Sequence, residues 1–181
     1  MAIRYSTQNI PELVNRKVFF DANILIYIFW PTGSYHWENT YSSTFRSLLR
    51  QNNELIVDFL VISEVVNRAH RSEYEKHLAI NGVAKNNLSY KQFRDSVDGQ
   101  DALSDIYLII ESNILNLFTI VGKSFSKTEI QSFLTVEPID FTDKGILSIC
   151  KENGCILLTN DKDFKTVDIE ILSSNPAILR N

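Results

Sequence analysis

Two apolar periods alternate along the 181-residue chain, and their order predicts an architecture. Short continuous apolar runs bounded by turn residues mark buried strands, while apolar residues at threes and fours mark helices. Residues 1–16 are a polar lead-in with a short helix from Pro11. Lys17–Phe20 then reads as a strand and Asn23–Trp30 as a helix, stopped by Pro31-Thr32-Gly33-Ser34. A second helix over Trp37–Gln51 sets Tyr41, Phe45, Leu48 and Leu49 on one face, and Asn52-Asn53 ends it. Leu55–Val57 is a strand, followed by a helix over Leu60–Arg71 with Val61, Val65 and Ala69 four apart. Between 72 and 100 the periodicity weakens, with turn chemistry at Asn81-Gly82, Asn86-Asn87 and Asp98-Gly99. Ala102–Phe118 is strongly amphipathic through Leu103, Ile106, Ile110, Ile114 and Leu117. Thr119–Val121 reads as a short strand, and Ser126–Leu134 as a helix opened by a Ser126/Glu129 capping box. A helix over Asp140–Asn153, ended by Gly154, leads to a buried-type strand at Cys155–Thr159. A turn at Asn160–Phe164 and a last strand at Val167–Leu172 complete the pattern.

Strands separated by helices predict an α/β fold, a three-layer α/β/α arrangement around a central, mostly parallel sheet. Length predicts one domain over 1–181, with residues about 72–130 as a helical elaboration within it. No apolar run nears the ~20 residues that span a bilayer, and the first fifteen residues carry no apolar signal core. The reading is a cytoplasmic protein with no membrane association. Cys150 and Cys155 form no CxxC, so they read as small buried hydrophobes and not as a metal or disulfide site.

Charge adds one exclusion. Twenty-two acids against eighteen bases give a net charge of −4, which argues against tight, non-specific binding to nucleic acid. The charges are unevenly spread. Arg68–Arg94 holds six bases and two acids, whereas Asp95–Glu111 holds five acids and no base. The basic segment also contains Tyr74, Tyr90 and Phe93. Bases such as Arg68, Arg71 and Lys91 would meet phosphates while the rings stack on unpaired bases of RNA; the plain alternative is a solvated surface.

Candidate chemistry lies in carboxylates at element boundaries. Asp21 follows the first strand, and Glu64 lies in the opening turns of the helix after the second. Asp143 lies in the first turn of the helix before the last core strand, and Asp161 follows that strand. In a parallel sheet all four fall at one edge, where ligands of open α/β folds bind. Gathered carboxylates repel one another unless a cation neutralises them, and Mg²⁺ and Mn²⁺ favour oxygen ligands. Each acid also has a structural reading: Asp21 as a helix cap, Glu64 as the i,i+4 partner of Arg68, Asp143 within a box opened by Asp140, and Asp161 or Asp163 in a turn. His70 and His77 share no catalytic motif with His36 and read as surface residues.

The run Val18-Phe19-Phe20-Asp21-Ala22-Asn23-Ile24-Leu25-Ile26-Tyr27 resembles the opening motif of the PIN-domain family. Asp143-Lys144-Gly145-Ile146-Leu147 together with Gly154–Phe164 resembles its closing half, and Ser63-Glu64-Val65-Val66 its middle motif. The resemblance implies a Mg²⁺- or Mn²⁺-dependent endoribonuclease, often the toxin of a VapC-type toxin–antitoxin pair. It implies catalytic and metal-holding roles for Asp21, Glu64, Asp143 and Asp161. Asn23 and Asn160 would support them, with Asp163 a fifth acid. Asp143 is preferred to Asp140 because it lies on the helix proper, eleven residues before Gly154. An antitoxin protein and a second copy of the chain are the partners the resemblance implies. The chain is longer than the compact toxin pattern between the middle and closing motifs. Two other readings stand: a PIN-like module that binds RNA or protein without cutting, and a haloacid-dehalogenase-type phosphatase, whose second aspartate is replaced here by Asn23.

Overall fold

The computed structural model describes residues 3–30 and 33–180. The stop predicted at Pro31 and Thr32 lies outside the described residues. Within them, six strands form one sheet: β1 (Arg4–Tyr5), β2 (Lys17–Phe20), β3 (Glu54–Asp58), β4 (Thr119–Val121), β5 (Ile156–Leu158) and β6 (Ile171–Leu172). Their order is β1-β6-β5-β2-β3-β4, with every neighbouring pair parallel.

Helices α1 (Ala22–Phe29) and α2 (Tyr35–Arg50) join β2 to β3. Helices α3 (Phe59–Asn81), α4 (Tyr90–Arg94) and α5 (Val97–Ile109) join β3 to β4, α5 continuing through a π-helical turn at Ile110–Leu115. Helices α6 (Lys127–Phe133) and α7 (Phe141–Asn153) return the chain to β5, and α8 (Pro176–Leu179) closes it. The steps β2 to β3 to β4 move one way across the sheet, and the return to β5 moves the other way. Right-handed crossovers therefore put α1–α5 on one face and α6–α7 on the other. The three-layer parallel architecture read from periodicity is the one observed.

The central strands β2 and β5 are buried on both faces, so Val18, Phe19, Phe20, Ile156, Leu157 and Leu158 read as continuous apolar runs. Phe20 meets the rings of Phe45 and Phe118 edge-on, at 6.2 and 5.0 Å between centroids, which locks the α1–α5 face to the sheet.

Several boundaries differ from the sequence reading, each for a physical reason. The polar lead-in contains β1, whose pairing to β6 contributes only two residues and leaves no periodic signal. The last strand is likewise reduced to Ile171–Leu172, because the chain bends at Asp168 and Ile169 within the predicted span. Helix α3 runs ten residues beyond Arg71, to Asn81, since Tyr74 and Leu78 extend its buried face. Asp98-Gly99 is no break; both lie in the first turn of α5. Glycine is required there by proximity: a Cβ on Gly99 would sit 1.9 Å from the carbonyl oxygen of Phe93.

That close approach builds a second small core of Tyr74, Leu78 and Phe93, flanked by Val83, Leu88, Tyr90 and Ala102. His70, expected at the surface, is buried within it. One ring nitrogen meets the Tyr90 hydroxyl at 2.8 Å and the other the Gly99 carbonyl at 2.9 Å. His77 is half-buried against Phe93, 3.6 Å from Asp98. Cys150 and Cys155 are buried free thiols, as expected.

Candidate active site

Four different elements deliver the four acids to the edge where the parallel strands end. Asp21 directly follows β2, Asp161 comes three residues after β5, Glu64 lies in the second turn of α3, and Asp143 lies in the first turn of α7. Strands β2 and β5 are neighbours from which the chain departs in opposite directions, the crevice where open α/β sheets bind ligands.

Asp21 occupies the N-cap position of α1, yet its side chain makes no capping hydrogen bond. Its Oδ2 instead accepts from the Thr159 hydroxyl at 2.6 Å and from the Asn23 side-chain amide. The capping alternative for Asp21 therefore fails on geometry. Thr159 is fully buried and also accepts from the Asp161 amide at 3.0 Å and from Asn23 at 3.4 Å. The Asn23 carbonyl oxygen in turn accepts from the Asn160 amide at 3.2 Å. Tyr41 donates to Asn160 Oδ1 at 2.8 Å, and Asn175 donates to the Asn160 carbonyl at 2.7 Å. Asn23 and Asn160 thus tie the end of β2 to the end of β5.

The other acids keep part of their structural roles. Asp140 caps α7 by accepting from the Asp143 amide at 2.8 Å, so Asp140 is the cap and Asp143 projects from the first turn. Glu64 forms the i,i+4 ion pair with Arg68 at 3.2 Å. Asp161 accepts from the Asp163 amide at 3.0 Å, and both acids are exposed.

Electrostatics couples these positions. Asp21 is pushed up to about 6, chiefly by burial; the Thr159 hydrogen bond opposes this, while the charges of Glu64 and Asp161 add to it. Asp143 is pushed up to about 7 by burial, then by Asp140, Asp21, Asp161 and Glu64. Asp21, Glu64, Asp143 and Asp161 are therefore close enough to act on one another, and the charges named at Asp21 and Asp143 are all negative. Among the described residues, no three ligand-type side chains are drawn together tightly enough to grip an ion as they stand. The donor set nevertheless suits one: oxygen ligands whose like charges repel one another.

The family model of the PIN domain matches residues 18–170, from β2 to the residue before β6. The chain belongs to the PIN domain family. PIN domains are generally nucleases and typically use a divalent metal. The four acids, Asn23, Asn160 and Asp163 all fall inside the matched span of this PIN domain. No curated protein sequence matches the chain significantly. Among solved structures, VapBC2 from Rickettsia felis, bound to a DNA fragment from its promoter, is similar at 17% identity and a TM-score of 0.49. The similarity covers 87% of this PIN domain and 98% of that chain. Among the described residues no helix is long and apolar enough to cross a membrane.

The basic segment is arranged differently from its sequence reading. Tyr74 and Phe93 are buried in the second core, and the Tyr74 hydroxyl donates to the Leu88 carbonyl at 2.6 Å. Tyr90 bonds to His70 and lies under the Arg71 guanidinium, 4.6 Å from ring centre to Cζ. Rings committed in this way cannot stack on bases, and that part of the expectation is withdrawn. Arg68, Arg71 and Lys91 are exposed, the first two with intramolecular partners. Sequence reading missed Thr159 and Tyr41: a strand-end threonine and a core-face tyrosine carry no chemical signature until their hydroxyls are seen to meet Asp21 and Asn160.

Proposed function

We propose that this PIN domain is a divalent-metal-dependent endoribonuclease that hydrolyses RNA phosphodiester bonds. The observation that supports this reading best is the coupled carboxylate set at the β2/β5 crevice, with Asp21 buried near the like charges of Glu64 and Asp161. Asp21, Glu64, Asp143 and Asp161 would hold Mg²⁺ or Mn²⁺, with Asp163 at the rim. Bound there, the ion would acidify a water and stabilise charge on the phosphodiester oxygens. Thr159 and Asn23 fix the orientation of Asp21, so the buried carboxylate meets its ligand without reorganising. The amide link from Asn160 to Asn23 keeps the Asp161 turn in register with Asp21. Arg68 compensates Glu64, and the exposed cations Arg71 and Lys91 would contact the RNA backbone.

The same reading treats 1–181 as one domain with 72–130 as its helical elaboration, and a cytoplasmic chain. From the motif resemblance it adds a toxin role with an antitoxin partner and a homodimer. Co-expression with a neighbouring small reading frame, followed by purification, tests the partner; a chain that always elutes alone removes it.

The deciding test is cleavage of a mixed single-stranded RNA pool with Mg²⁺, Mn²⁺ or EDTA, comparing wild type with Asp21→Asn. Cutting is expected with metal only, and should fall at least about 10²–10³-fold in the variant while its circular dichroism is unchanged. Equal cutting by both proteins, or cutting in EDTA, rejects the mechanism. Metal binding without cutting by folded wild type favours the non-cleaving module.

A further inference from the structure

An open groove of about 470 Å³ lies between the turn after β5 and helix α8. Lys162, Lys165 and Arg180 line it, together with Asp163, Pro176 and Ala177. Local sequence brings these cations together. Residues 162–166 form a 3₁₀ turn, in which side chains three apart eclipse one another. Lys162 and Lys165 therefore share one face of the turn, while Phe164 is buried. Arg180, the residue that ends α8, reaches the groove from the other wall. The two walls are tied by Asn175, the N-cap of α8, which donates to the Asn160 carbonyl at 2.7 Å.

The groove is built on the turn that also carries part of the site. Asp161 opens that turn by accepting the Asp163 amide at 3.0 Å, and Lys162 is the next residue. Arg4 adds a fourth cation to the turn, donating to the carbonyls of Lys165 (3.0 Å), Val167 (2.6 Å) and Ile169 (2.7 Å). Elsewhere cations such as Arg16, Lys123 and Lys144 pair with glutamates. Among the described residues, Lys162, Lys165 and Arg180 enter no ion pair, and all three are exposed. Like charges lining one groove repel each other and raise the local concentration of anions.

We propose that this groove holds the phosphate backbone of an RNA strand on the β5–β6 side of the carboxylate edge. The proposal rests on the ribonuclease reading for its substrate, and adds a contact surface apart from Arg71 on α3 and Lys91 on α4. In a chain of net charge −4, a polyanion needs a local cationic surface on which to settle. Bound divalent ions would serve the phosphate at the acids; the phosphates further along the strand need cations from the protein itself. Contacts of this kind position the strand and read no base.

The test is binding of a short, fluorescently labelled single-stranded RNA, followed by anisotropy in EDTA over a series of salt concentrations. Wild type is compared with the triple variant Lys162→Ala/Lys165→Ala/Arg180→Ala, the conservative pair Lys162→Arg/Lys165→Arg, and Lys127→Ala on α6. The triple variant should bind at least about tenfold more weakly at low salt, and its slope of log affinity against log salt should be shallower by about 2. Its circular dichroism should be unchanged, and the loss should be alike for oligouridylate and oligoadenylate. The arginine pair and Lys127→Ala should bind as wild type does. Wild-type affinity and slope in the triple variant overturn the groove, as does wild-type binding of poly-L-glutamate that is no weaker than its binding of RNA. Salt-dependent binding lost in the triple variant, with no metal-dependent cutting by wild type, keeps the groove and rejects the nuclease reading. Metal-dependent cutting by wild type with unaltered binding in the triple variant does the reverse.

Discussion

The second core around His70 and the acidic edge around Asp21 both bury titratable side chains, with opposite outcomes. In the second core, both nitrogens of His70 meet neutral oxygen partners, and the Tyr74 hydroxyl has a carbonyl acceptor. Nothing there calls for a further ligand. At the acidic edge the hydrogen bonds to Asp21 are equally good, yet the surrounding charges are negative and the carboxyl is held up near 6. Burial alone does not mark a functional group. Burial with unresolved like charge is what sets the acidic edge apart.

Four outcomes bear on this contrast, the largest first. Gly99→Ala places a Cβ against the Phe93 carbonyl and should destabilise the fold by about 3 kcal/mol, read as a lowered midpoint in urea. An unchanged midpoint would mean the second core is not rigid. Thr159→Val removes the hydroxyl from Asp21 without changing size, and should cost about 10–100-fold in metal affinity with little loss of secondary structure. Wild-type affinity would show that Asp21 needs no orienting partner.

The third outcome concerns pH. Asp21 and Asp143 have folded-state values above their ordinary ones, so the folded, metal-free chain retains their protons longer than the unfolded chain. Their contribution is most favourable below about pH 4. It is lost as pH rises through about 6 and then about 7. Melting in EDTA should therefore occur at a lower temperature at pH 8 than at pH 5, with Mn²⁺ restoring stability at pH 8. A flat profile between those pH values would remove the repulsion argument. The smallest effect is Arg71→Ala: losing the cation–π contact with Tyr90 should cost about 0.5–1 kcal/mol. The variant should keep the cut-site profile of wild type, and a changed profile would draw Arg71 into substrate selection.

The parts of this molecule that sequence made legible are those with local causes. The strand Lys17–Phe20 announces itself by four adjacent residues, and the Ser126/Glu129 box by two residues three apart. The placement of Asp21 and Asp161 at strand ends followed from the same local reading. The misreadings have distant causes. His70 looked exposed because its partners stand 20 and 29 residues away. Asp98-Gly99 looked like a turn because the reason for the glycine is the Phe93 carbonyl, an element earlier. Thr159 looked like an ordinary β-branched strand residue because its partner is 138 positions upstream.

That last separation bears on when the site can exist during synthesis. The hydroxyl of Thr159 and the carboxylate of Asp21 stand 138 positions apart, and β2 pairs with β5 only once both are present. A ribosome making the protein from its N-terminus releases Asp21 first, then Glu64, then Asp143, and Asp161 last. Closing so long a loop is among the slower steps open to a folding chain. The carboxylate cluster therefore cannot assemble on a nascent chain until Asp161 has left the exit tunnel. An RNA-cutting activity built on it would be silent toward the message being translated until Thr159 and Asp161 had emerged.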